Sequence, residues 1–281
     1  MIYEYRLPSP PLREYVRLLQ IIHLDFSKVP VVPFKPYWPR PDHCLAFYPR
    51  DHETVEYVDS GRQEAKPRSA LIGQPTVVTN RYVGRDFFVF QVVFQPGALF
   101  RLTGLPAHAL TNTFLDAEAV FSPEIKRVND RLGSTDRYPD MIQIVEQFLH
   151  YLIRKSKRDR LPIDKVSHWM LHAPQGTSPL LRSVDWLAKE ACLSPKQFYR
   201  QSVERLGVSP KLFDRIIRFD QAVKYNNAQP RKDWLSIALE TGYHDYQHLV
   251  RDFRTFTTLT PPQFAQQDSK APERSFGIAE K

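Results

Sequence analysis

The sequence predicts an α+β multidomain protein: a β-rich N-terminal domain, barrel or sandwich-like, then a short helical connector and an all-α C-terminal domain. Three observations carry this. Residues 1–120 break into short apolar segments rich in β-branched and aromatic side chains, punctuated by Pro, Gly, Asp and Asn. Residues 121–160 turn to helical periodicity. From Val184 to Phe264 two similar stretches follow one another, VDWLAKEACLSPKQFYRQSVERLGVSP and WLSIALETGYHDYQHLVRDFRTFTTLTP.

The expected strands are Leu19 to Phe26, Cys44 to Tyr48, Thr54 to Val58, Ala70 to Ile72, Thr76 to Tyr82 and Asp86 to Phe94. Prolines between Val29 and Pro41 predict an extended loop. The run DFFVFQVVFQPGALFRLTGLP reads as a buried strand that closes at Gln95-Pro96-Gly97 and leads into a short helix. Its aromatic group, Phe87, Phe88, Phe90, Phe94 and Phe100, reads as core. Alternate positions of such a strand can still line a pocket.

In the connector, Ser122 to Leu132 and Tyr138 to Lys157 are expected helices. The second carries Met141, Ile144, Val145, Phe148, Leu149 and Leu152 on one broad apolar face. That face either packs on its own domain or serves a homodimer. The polar segment from Lys155 to Lys165 is the expected linker, residues 165–265 form the C-terminal domain, and the polar stretch 266–281 reads as a disordered tail.

Within the repeated stretches, Val184, Leu187, Ala188 and Ala191 fall at i, i+3, i+4, i+7. Trp234, Ile237, Ala238 and Thr241 repeat that stripe about 50 residues later. Each stripe meets a short turn, Ala191-Cys192-Leu193 or Thr241-Gly242-Tyr243, and a second helix, which makes two helix-turn-helix units. Ser194, Pro195 and Gln197 give the first of these second helices a full N-terminal signal: cap, first-turn proline and capping box. A helix-forming run from Lys211 to Tyr225 joins the units as a rod of roughly 22 Å, at 1.5 Å per residue. Such a rod can hold two helices about one turn of B-DNA apart.

The faces left outside the apolar stripes are polar and cationic. Lys196, Gln197, Tyr199 and Arg200 lie on the first unit, and Tyr246, Gln247, His248 and Arg251 on the second, all within the first two turns. There a helix entering the major groove meets base edges. Arg215 and Arg218, on the rod, are candidates for phosphate contacts, and Lys224, Arg231 and Lys232 lie on or beside it.

These residues resemble the DNA-binding domain of the AraC/XylS family of bacterial transcriptional regulators. The likeness covers about residues 165–264: L-A-x-x-A-x-L-S-P, then G-V-S-P at Gly207 to Pro210, Arg218 and Ala222, I-A-x-x-x-G-Y, and L-T-P-P-Q-F. It implies that the second helices, Ser194 to Arg205 and Tyr246 to Thr255, read double-stranded DNA. Three positions depart from the family pattern. Cys192 stands where Gly is usual, Ser202 where a large core residue is usual, and Thr258 where the first unit has Gly207. The N-terminal half is similar to the sensor-like domain of one branch of the family, through PLREYV, RPDHCLAF, LIGQ and V-V-F-Q-P-G-A followed by G-L-P, with His43 departing from a glycine pattern. The resemblance implies a small-molecule effector or partner at the N-terminal domain, contact with RNA polymerase, and activation more often than repression.

Composition sets further bounds. The 281 residues suffice for two domains. A formal net charge of +8 suits a polyanionic partner. No apolar run approaches the roughly 18–20 residues that span a bilayer, and MIYEYRLPSPP lacks the pattern of a secretory signal, so a cytoplasmic location is expected. Two cysteines, Cys44 and Cys192, supply neither a disulfide framework nor a four-cysteine zinc site. His168 and His172 share the i, i+4 spacing of metal ligands without a third ligand, and His43 and His52 lack a His-x-His grouping. No metal, cofactor or catalytic set is expected, since no nucleophile, base and orienting residue assemble by spacing.

Overall fold

The computed structural model describes residues 2–173 and 183–276. Alternating apolar residues in the N-terminal half fold into two antiparallel sheets, built from β1 (Ile2–Arg6), β2 (Val16–Asp25), β3 (Lys35–Tyr37), β4 (Cys44–Phe47), β5 (Glu53–Tyr57), β6 (Gln63–Ala65), β7 (Ser69–Ile72), β8 (Thr79–Val83), β9 (Asp86–Phe94) and β10 (Phe114–Asp116). The six-stranded sheet runs β1-β2-β9-β4-β7-β10 and the four-stranded sheet β3-β8-β5-β6. All six expected strands form. The four unexpected ones, β1, β3, β6 and β10, are the edges of the two sheets. Edge strands are short and paired on one side, which is why β3 accommodates Pro36 inside the proline-rich loop.

The six-stranded sheet is buried on both faces, and this explains the unbroken apolar run of β9. Phe88, Phe90 and Val92 share a core with Leu19 and Ile21 of β2 and with the connector helices, while Phe87 and Val89 face the other way with Leu24 and Phe26. The helical layer comprises α1 (Ala98–Thr103), α2 (Ala117–Phe121), α3 (Glu124–Gly133) and α4 (Tyr138–Lys155). The expected helix from Ser122 to Leu132 forms as α3, and α2 ahead of it is an additional short helix. On α4, Met141, Ile144, Val145, Phe148, Leu149 and Leu152 are all buried in their own domain's core. That face is therefore not free to build a homodimer.

The C-terminal half contains α5 (Pro162–His172), α6 (Val184–Glu190), α7 (Pro195–Leu206), α8 (Pro210–Ala228), α9 (Trp234–Glu240), α10 (Tyr246–Thr257) and α11 (Pro261–Asp268). Two small cores flank α8: Phe213 and Ile217 join α5–α7, whereas Ile216, Phe219, Ala222 and Val223 join α9–α11. Over 266–276 the structure differs from the expected disordered tail. α11 runs to Asp268, Pro272–Phe276 form a 3-10 turn, and Asp268, Ala271 and Glu273 are buried. The segment is polar in sequence, but its polar groups find partners and its ring finds an apolar surface on the β domain.

The two halves meet at several places. Within the C-terminal half, Arg205 of α7 pairs with Asp164 of α5, with Nη1 at 3.0 and 2.8 Å from the two carboxylate oxygens, and across the junction its guanidinium lies 4.8 Å from the Phe100 ring of α1. Thr111 Oγ1 donates to the Gly207 carbonyl at 2.9 Å. Farther along, Trp38, in the loop after β3, enters the core of the second unit, with its ring 4.6 Å from Phe264. His43 is buried between them and hydrogen-bonds the Leu206 backbone, and its Nε2 has no partner among the described residues.

Breaking the Asp164–Arg205 pair leaves a buried charge without its counter-ion. Arg205→Ala is expected to destabilise the fold by about 3–5 kcal/mol in urea unfolding, and Arg205→Met by distinctly less. Burial pushes the His43 imidazole down to about 4, against the pull of Asp42. Between pH 6.5 and 4 the unfolded chain then binds a proton that the folded chain refuses, so this contribution to stability is present above 6.5 and lost as pH falls towards 4. Unfolding midpoints measured across that window should fall steeply in the wild type and less steeply in His43→Gln.

Candidate nucleic-acid interface and interior cavity

Both turns in the C-terminal half are built the same way. After α6, the amide of Cys192 donates to Lys189 O and that of Leu193 to Ala188 O. After α9, Gly242 donates to Leu239 O and Tyr243 to Ala238 O. This is a Schellman closure, and it needs a left-handed residue at its first position. Gly242 meets the requirement with φ of 83°, and Cys192 adopts φ of 55° in spite of its side chain. The second helices also end alike, at Gly207 with φ of 81° and at Thr258 with φ of 66°.

α7 starts at a complete capping box. The Gln197 amide donates to Ser194 Oγ at 3.3 Å, and Gln197 Oε1 accepts from the Ser194 amide at 3.1 Å. Gln197 thus spends its carbonyl on the helix end, and its NH₂ remains on the exposed face. Asp245 caps α10 by accepting from the His248 amide at 2.8 Å, and its other oxygen lies 3.0 Å from His248 Nδ1. Phe198, Ser202, Arg205 and Leu206 form the buried side of α7; Lys196, Tyr199 and Arg200 are exposed on the other. On α10 the buried side is Leu249, Val250, Phe253 and Phe256, and Gln247, His248 and Arg251 are exposed. Tyr246 departs from expectation, since it packs partly against the second unit's core.

Arg215 and Arg218 are also more engaged than the sequence suggests. Arg215 pairs with Asp252 of α10 at 2.8 Å, and Arg218 pairs with Asp214 at 3.1 Å while its guanidinium lies 4.9 Å from the Tyr243 ring. They brace α8 against the second unit. Both still line a polar cleft of about 580 Å³ together with Lys211, His244, His248 and Arg251. His244, like His248, reads from the sequence as a capping or DNA-contact residue beside the second helix start, whereas Lys211 does not stand out there. Lys211, Asp214, Arg215 and Arg218 stand at i, i+3, i+4, i+7 on α8, so the stripe was legible there. His168 Nδ1 lies 3.0 Å from Gln95 Oε1 across the domain junction. Among the described residues no group of three His, Cys, Asp or Glu side chains is placed to hold a metal ion, and no helix is long and apolar enough to cross a membrane.

A cavity of about 90 Å³ lies between the two sheets of the β domain. Ile22, Leu24, Phe26, Phe87 and Val89 supply an apolar wall, and Lys35 of β3 and Arg81 of β8 stand opposite. Its charges are compensated internally. Burial alone would raise the Glu53 carboxyl, but Arg81 and Lys66 outweigh it and hold the group at about 2. Lys66 Nζ is 2.6 Å from Glu53 and 3.1 Å from the Tyr48 hydroxyl.

Two helix pairs with matched turns and a shared bracing helix define a DNA-binding domain of the helix-turn-helix class. A family model described as a helix-turn-helix domain matches residues 187–267. An HTH-type transcriptional regulator of Haemophilus influenzae is 25% identical over 177 residues, which is 60% of this chain and 55% of that protein. The match thus spans about half the length of that relative. Among solved structures, unsaturated fatty acid-bound wild-type ToxT of Vibrio cholerae is similar at 11% identity and a TM-score of 0.49, covering 94% of this chain and 97% of that one. The AraC-like transcriptional activator CuxR is similar at 12% identity and a TM-score of 0.29, covering 78% and 86%. The C-terminal half of this chain is a tandem helix-turn-helix domain.

Two departures from regular packing make the domain improvable. Thr258 is a β-branched residue held left-handed, and Ser202 is fully buried with its hydroxyl unpartnered among the described residues. Thr258→Gly is expected to raise stability by about 0.5–1 kcal/mol and Ser202→Ala by about 1 kcal/mol. Thermal midpoints above the wild type for both variants would bear this out, and a drop for either would show that its side chain is used.

Proposed function

We propose that this protein is a sequence-specific transcriptional regulator that reads two successive major grooves with α7 and α10. The observation that carries this reading is the duplicated presentation of exposed residues. Lys196, Tyr199 and Arg200 stand at the start of one helix and Gln247, His248 and Arg251 at the start of the other, each backed by a buried face. The 19 residues of α8 join them rigidly, so one monomer carries both readers. Gln197 contributes through its amide NH₂. Lys211, Arg215 and Arg218 line the cleft between α8 and α10 and are placed to take phosphate oxygens, which orient the protein without specifying sequence.

The β domain is the regulatory module in this reading, with the cavity between its sheets as the site for a small molecule. An apolar wall facing a few fixed polar groups is the usual composition of such a site. Occupancy would alter DNA affinity or contact with RNA polymerase, and activation is the sense of regulation proposed. The cytoplasm is the proposed location.

Genome-wide capture of bound fragments should return a discrete motif with two half-sites about one helical turn apart. Arg200→Ala and Arg251→Ala are each expected to weaken binding to that motif by about 1–3 kcal/mol while changing binding to scrambled DNA far less. Equal losses on both DNAs, in salt-titrated binding, would reduce these residues to phosphate contacts.

A further inference from the structure

The cavity of the β domain is closed by a segment that belongs to the other end of the chain. After α11, Pro272 and Glu273 enter the cavity's lining, and Glu273, only 2% exposed, forms an ion pair with Lys35 of β3. Three residues on, the Phe276 ring packs 5.3 Å from Phe26 and joins the apolar cluster of Leu24, Phe87 and Val89. The same segment is tied back to the DNA-binding half. Arg274 pairs with Asp268 of α11 at 2.5 Å and donates to Asn227 Oδ1 of α8 at 3.2 Å.

A carboxylate is brought out of water beside an apolar cavity only where a cation meets it, and here the cation is a cavity residue. Glu273 and Phe276 therefore stand where a bound molecule would place an anionic group and an apolar body. We propose that residues 272–276 are a removable internal plug: a ligand filling the space between the sheets displaces Glu273 and Phe276, and the freed strap releases its hold on α8 and α11. This inference rests on the reading of the cavity as a small-molecule site. Competition for one space makes the coupling reciprocal, so any DNA-bound state that favours the withdrawn strap also favours ligand.

The experiment uses the full chain and 8-anilinonaphthalene-1-sulfonate, an apolar anion, as the probe. If the strap is closed most of the time, wild-type affinity is reduced by the small fraction of open molecules. Glu273→Gln/Phe276→Ala should then bind the probe about tenfold more tightly than wild type, and its affinity for the captured DNA motif should change as well. Val89→Trp, which fills the cavity, should abolish binding in both backgrounds. Glu273→Gln alone keeps the shape of the strap, and it should move probe affinity in the same direction if the double variant does not fold.

Equal probe affinity in wild type and strap variants, still abolished by Val89→Trp, would overturn the plug and leave the cavity as a binding site. Tighter probe binding with unchanged affinity for DNA would overturn the link to α8 and α11. Probe binding that survives Val89→Trp, or no binding even to the strap variants, would overturn the cavity reading together with the plug.

Discussion

The arrangement of the molecule depends on the buried pair between Asp164 and Arg205. Arg205 leaves the inner face of α7, both Asp164 oxygens receive its Nη1, and the Phe100 ring of the β domain covers its guanidinium. Asp164 also accepts from the Leu161 amide at 2.9 Å, which closes the first turn of α5. One charge pair thus joins the start of the helical domain, the back of α7 and the β domain. Burying two charges is costly, and the geometry here meets that cost with two short hydrogen bonds and a flat ring. A consequence is directional: the β domain grips α7 from behind, so Lys196, Tyr199 and Arg200 stay in front.

The second unit's α10 is held differently. Its core is aromatic, with Phe219, Phe253, Phe256 and Phe264 around α8, and Trp38 inserts from the β domain. Trp38 follows directly after β3, the strand that carries Lys35 at the cavity. The first unit is therefore docked on the β domain by the Phe100 ring against Arg205 and by Thr111, and the second by the Trp38 ring next to β3. A change in β3 has a short path to α10 and a longer one to α7.

Much of this was legible from residue order. Local signals carried the helix ends, because caps and turns depend on residues within four positions of one another: Ser194 with Gln197, Gly207 at the end of α7, Pro261 at the start of α11. The central strands were legible because burial on one or both faces imposes an apolar pattern. The edge strands β1, β3, β6 and β10 were not, since a strand paired on one side needs no such pattern. Arg215 read as a free cation because Asp252 is distant in sequence, whereas the partner of Arg218, Asp214, stands four residues before it and only the Tyr243 ring is distant. Tyr246 read as outward because a tyrosine at a helix start serves either face.

By itself the sequence determined the two-part architecture, the duplicated helix-turn-helix units and the outward identity of Lys196, Arg200, Gln247 and Arg251. Those follow from periodicity and capping, which act over one or two helical turns. Only the tertiary structure decided what covers the apolar face of α4, which cations are already paired, and where residues 266–276 go. Each of these is a choice between water and a partner far along the chain. A polar segment such as 272–276 carries no apolar pattern to announce its place, yet Glu273 has Lys35 and Phe276 has Phe26 waiting on the β domain. Its position is fixed by complementarity between groups more than two hundred residues apart, which no local reading of the chain contains.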